Sequence, residues 1–139
     1  MEVRDRSWFQ DLAYTFFANN DICMVWSPLT ELRTPPIATT DFLYVRFIGD
    51  RSIDEKDFGK VQKDRTIEMK KWSNKLKRVI KEEQKGARGK EKSINLAIVS
   101  ANNHYAGRFG PETANIFIKK CSLLSLNWQE AKRKYDKLS

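Results

Sequence analysis

The sequence predicts an α/β fold built on a parallel sheet, and three observations lead there. Runs rich in aromatic and β-branched residues stand at 41–49 (DFLYVRFIG) and 94–100 (INLAIVS), the composition of strands. Segments with apolar residues at helical spacing lie between and after them, so strand and helix alternate. No hairpin signal joins successive strands, which favours right-handed crossovers over a sandwich.

The elements follow in order along the chain. Residues 2–4 read as the end of a strand. Ser7 is a plausible N-cap for a helix from Trp8 to about Phe17, in which Trp8, Leu12 and Phe16 recur at helical spacing. Asn19-Asn20-Asp21 is a turn signal. Ile22 to Trp26 is short and continuously apolar, as expected of a strand covered on both faces. Pro28, Pro35 and Pro36 then exclude regular helix. After the strand at 41–49, residues 50–63 are polar and irregular. A long amphipathic helix follows from Arg65 to about Gln84, with Met69, Trp72, Leu76, Val79 and Ile80 on its apolar stripe. Gly86 and Gly89 end it inside a flexible basic linker, 86–92. After the strand at 94–100, Gly110-Pro111 opens a helix buried through Ala114, Phe117, Ile118, Cys121 and Leu124. Residues 128–138 read as a last short basic helix, anchored by Trp128. The order is β-α-β-loop-β-α-β-α-α.

At 139 residues the chain amounts to one domain, and 40% hydrophobic content suits a folded protein. No apolar run approaches the roughly 20 residues that span a bilayer. The start, MEVRDRSWF, lacks the basic-then-apolar order of a signal peptide, so a soluble cytoplasmic protein is the default and no membrane partner is expected. Cys23 and Cys121 lie apart within apolar patterns and read as small buried hydrophobes rather than zinc ligands. From Lys60 to Lys92 there are 13 Lys/Arg against 5 Asp/Glu, a surplus equal to the +8 of the whole chain.

Residues 93–120, SINLAIVSANNHYAGRFGPETANIFIKK, carry the densest chemistry. A strand runs into two asparagines, the only histidine and a glycine loop, then into a proline-started helix. In α/β proteins the carboxyl end of a strand is where ligands bind. This stretch and two others together resemble the YecE-like family of unknown function, the DUF72 proteins. Residues 2–9, EVRDRSWF, are similar to that family's strand-end Glu-x-Arg followed by Ser-Trp-Phe. Residues 39–51, TTDFLYVRFIGDR, are similar to its Tyr-Val-Arg strand with a following glycine, and 101–115, ANNHYAGRFGPETAN, to its Asn-Asn-His segment. The helix KKWSNKLKRVI falls between the second and third, and the resemblance covers nearly the whole chain.

The resemblance implies a TIM-like (β/α)8 barrel. Family domains are longer, and this chain begins about where their second half begins. It therefore implies the C-terminal half of a barrel, open rather than closed, as a single truncated domain over 1–139. Residues 2–4, 22–26, 41–48 and 94–100 would be its last four strands. A half-barrel exposes two strand edges and one inner face, so self-association or a separately encoded N-terminal half is the expected partner.

Glu2 and Arg4, two apart on a strand, point to the same side. In the family context they read as a carboxylate acid/base and an anion clamp, or else as an internal salt bridge. Arg46, within a very apolar strand, is either ligand-directed or paired with Glu2, since an unpaired buried charge is costly. His104 serves as a general acid/base with Asn102 and Asn103 orienting a substrate, or is held by hydrogen bonds in a structured loop. Arg108 completes the candidate substrate-binding set, and Gly110, Glu112 and Thr113 place backbone N–H groups at a helix start that could take an anion. No metal or cofactor is expected: there is one histidine, and Glu2 with Asp50 is the one carboxylate pair to weigh for Mg²⁺. Three functional classes stand open. One is a barrel enzyme acting on a small anionic ligand. The second is an interaction or nucleic-acid module using the basic helix, with weak, non-specific and salt-sensitive binding. The third is an inactive fragment of a longer barrel.

Overall fold

A computed structural model describes residues 1–29, 31–49, 52–84 and 94–122. Its centre is a pair of parallel strands, β1 (Phe42–Phe47) and β2 (Leu96–Ala101), in register from Phe42 beside Leu96 to Phe47 beside Ala101. The crossover between them contains α2 (Thr66–Gln84), and α3 (Gly110–Lys120) follows β2. Successive side chains of β1 point to opposite faces, so Leu43, Val45 and Phe47 are all buried on one face. Met69, Trp72, Leu76 and Val79 of α2 and Phe117 of α3 complete that core, the helical stripe meeting the strand face. Phe47 sits at its middle, 4.9 Å from the Tyr105 ring and 4.7 Å from Phe117.

The two earlier segments expected as strands do not form them, yet they run alongside the sheet in the expected order. Trp26 pairs in parallel with Val45 at a single position, its N–H donating to Tyr44 C=O at 2.8 Å and its C=O accepting from Arg46 at 2.9 Å. The ladder stops because the next donor along would be Pro28, which has no N–H. On the other side the Met24 N–H is taken by the Thr39 hydroxyl at 2.9 Å. Residues 1–3 lie beyond, joined by the Val25 N–H donating to Met1 C=O at 2.9 Å. The spatial order is thus 1–3, 22–27, β1, β2.

The first helix also departs from expectation. Asp5, not Ser7, is the capping side chain; it accepts from the Ser7 N–H and starts a 3₁₀ turn, Arg6–Trp8. The α-helix α1 runs over Asp11–Asn19. Its buried residues are Ala13 and Phe17, which pack with Val3 and Met24. Trp8, Leu12 and Phe16 are instead exposed, Leu12 by 76%. Two adjacent apolar stripes run along this segment, and only one can face the small cluster beneath it.

The other face of the sheet is open. Tyr44 and Arg46 of β1 lie there beside Ile98 and Ser100 of β2, with Leu96 55% and Ile98 41% exposed. Both cysteines are free thiols; Cys121 is buried as expected, whereas Cys23 is only half-buried. Among the described residues no helix is long and apolar enough to cross a membrane. Asp50, the 86–92 linker, Leu124 and the expected helix at 128–138 lie outside the described residues.

Candidate functional site

The carboxyl ends of the strands gather most of the candidate residues, in two groups. Arg46 is the last residue of β1 on the open face, two after Tyr44. Its Nη1 pairs with Glu2 Oε2. Arg4 Nη2 lies 3.1 Å from the other carboxylate oxygen, Glu2 Oε1. One carboxylate, only 16% exposed, is thus shared by two guanidiniums that are each far more accessible. Of the alternatives weighed for Glu2 and Arg4 the ion pair is present, and the same carboxylate also pairs with Arg46. The hydroxyls of Tyr44 and Ser100 are hydrogen-bonded at 3.0 Å across the same face.

The second group is the turn after β2. The Gly49 N–H donates to Asn102 Oδ1 at 3.1 Å, tying the end of β1 to the end of β2. The backbones approach so closely that a Cβ on Gly49 would stand 1.6 Å from the His104 carbonyl oxygen. Asn103 Oδ1 accepts from the Gly110 N–H at 2.8 Å, so this side chain caps α3 from seven residues upstream. The two amide oxygens expected to orient a substrate are therefore engaged with backbone. Asn103–Tyr105 form a 3₁₀ turn closed by Gly107, whose φ of 87° suits glycine.

His104 stands in that turn with its Nε2 3.3 Å from Glu55 Oε1 and its ring edge-on to Phe58 at 5.1 Å. Its Nδ1 is buried and has no hydrogen-bond partner among the described residues. Glu55 carries no signal in the sequence, because nothing but the fold brings residue 55 to residue 104. Tyr44 is within reach of sequence reasoning, since it shares a strand face with Arg46 by the two-residue period.

Arg108 is turned away from both groups, its Nη1 on Glu112 Oε1 at 2.9 Å, one helical turn on. Among the described residues no hydrogen bond or ion pair joins the Glu2 cluster to the His104 turn. A further network, unread in the sequence, lies behind the rim. Glu68 accepts from Arg65 at 3.2 Å and from the Tyr105 hydroxyl at 3.3 Å, while Arg65 Nε donates to the Tyr105 carbonyl at 2.8 Å. Burial, and then the Glu68 carboxylate, push the Tyr105 hydroxyl far above its ordinary range, so it acts as a donor that locks α2 to the turn. No group of three or more metal-ligating side chains comes together among the described residues.

A family model described as "Protein of unknown function DUF72" matches residues 1–135. Two solved structures are similar in fold. A DUF72 family protein of Thermotoga maritima superposes over 86% of this chain and 44% of its own, with a TM-score of 0.55 and 23% identity. A DUF72 family protein of Enterococcus faecalis superposes over 88% of this chain and 48% of its own, with a TM-score of 0.53 and 20% identity. The chain thus matches less than half the length of either solved relative. No curated protein matches it.

Proposed function

The chain belongs to the DUF72 family, proteins of unknown function, and on that premise we propose that it binds a small anion at the carboxyl ends of its parallel strands. The observation that carries this reading is the pairing of two guanidiniums with one shared carboxylate. Arg4 and Arg46 together outweigh Glu2 by one positive charge, and both remain accessible. A phosphate or carboxylate group would complete the coordination, because arginine offers forked donors that match such oxygens. Glu2 then holds the two arginines at a fixed spacing. His104, with Glu55 against its Nε2, is the group that would move a proton on the bound molecule. The architecture supports the reading: segments 1–3 and 22–27, β1 and β2 lie side by side in the order that the last four strands of a TIM-like barrel would take.

The test is a titration of inorganic phosphate and of malonate against the thermal midpoint of the full chain. Either anion should raise the midpoint. Arg46→Ala should weaken binding by roughly 10- to 150-fold, the loss of one charge-assisted hydrogen-bonding group. His104→Ala should weaken it less. If both variants respond as the parent does, the site lies elsewhere.

A further inference from the structure

The open sheet face is the largest feature that the anion site leaves unexplained. Parallel strands are ordinarily covered on both faces, because their crossover helices lie on either side or the sheet closes on itself. Here α2 and α3 cover one face only, while Leu96 and Ile98 lie in solvent on the other. Two strands with one face wet are marginal alone. The two ends of the sheet are also distinct. One is β2, which among the described residues pairs only with β1. The other is the 1–3 segment, backed by α1 with its exposed Leu12 and Phe16.

We infer that this face and these two ends are an interface for a second copy of the chain. Two observations fit a copy of this chain. First, two copies supply about as much chain as one solved relative, since the match covers 44% and 48% of those proteins. Two parallel strands and two segments alongside them in sequential order, doubled, match the strand number of a closed eight-stranded barrel. A twofold axis along the strands keeps every strand parallel: β2 of each copy meets the 1–3 segment of the other, and both open faces turn inward. Second, most of the charge lies away from this pairing. The surplus of +8 lies wholly within residues 60–92, and the described part of that stretch is dominated by α2, on the covered side of the sheet. The remainder of the chain balances to zero, and the Arg4–Glu2–Arg46 cluster at the rim brings a surplus of one positive charge per copy to the joined faces.

Light scattering on the full chain at micromolar concentration decides it. The expected mass is twice the 16.3 kDa of one chain. Ile98→Asp and Leu96→Asp should each weaken the dimer by about 10-fold or more, the cost of losing one large buried side chain. Ile67→Asp, on the exposed side of α2, should leave the mass unchanged. Circular dichroism separates loss of assembly from loss of fold, since each variant should keep the helical signal. A monomer at every concentration overturns the inference. An assembly that survives both strand substitutions overturns it as well, because it would use another surface.

Discussion

Arg46 shows how much a single residue can declare through its immediate sequence neighbours. An arginine among apolar strand residues predicts a carboxylate or a ligand beside it, and Glu2 is that carboxylate, although the open face leaves the arginine side chain 43% exposed. The histidine is equally legible as a rim residue, but its partner Glu55 is not, because a contact across 49 positions leaves no local mark. Cys121 makes the same point about environment. Burial pushes its thiol up to about 11, whereas nothing in the apolar pattern separates it from the half-buried Cys23. Alkylation of the native protein at neutral pH should therefore label Cys23 first. Cys121 should react slowly, faster by about tenfold per pH unit while the pH stays below its own range, because only the thiolate attacks. Mass spectrometry of the two peptides over a pH series checks this, and equal labelling at neutral pH would refute the burial of Cys121.

At the scale of elements, period and punctuation are mostly sufficient. The α2 stripe of Met69, Trp72, Leu76 and Val79 is buried as its spacing predicts, and Pro111 opens α3 as its position predicts. The departures have identifiable causes. Apolar content makes 22–26 look like a full strand, but a ladder needs an N–H at every second residue and Pro28 offers none. Helical spacing selects Trp8, Leu12 and Phe16, although Ala13 and Phe17 share the same period one position on. Periodicity gives a direction only after something fixes where the core lies. The Asn103 cap on α3 is likewise hidden, since a side chain seven residues upstream is outside any local capping signature. Asn103→Ala should lower stability by about 1 kcal/mol, the loss of one such hydrogen bond. Urea denaturation would read it as a lower midpoint at unchanged slope, and a midpoint equal to the parent's would remove the cap from the account of this rim.

Over the whole molecule, charge and hydrophobicity are sorted into layers. The lysines and arginines of α2 face solvent on one side, the core fills the middle, and Leu96 and Ile98 remain open on the other. A solvated basic layer of this kind should attract duplex DNA at low salt without choosing among sequences. Anisotropy titrations should show that binding fall steeply between low and physiological salt. Affinity that persists at physiological salt, or that discriminates between sequences, would instead mark α2 as a specific nucleic-acid surface.

By itself the sequence determined the two parallel strands with their crossover helix, the three motif segments that resemble the family, and the residues placed at strand ends. Each of these depends on neighbours two to four positions apart, where backbone geometry alone dictates which side chains share a face. The tertiary structure alone decided three things: which stripe of α1 is buried, that both asparagines bind backbone, and that Glu55 meets His104. It also left one face of the sheet bare. These outcomes rest on contacts between distant segments and on which surface finds a partner, and local patterns do not encode either.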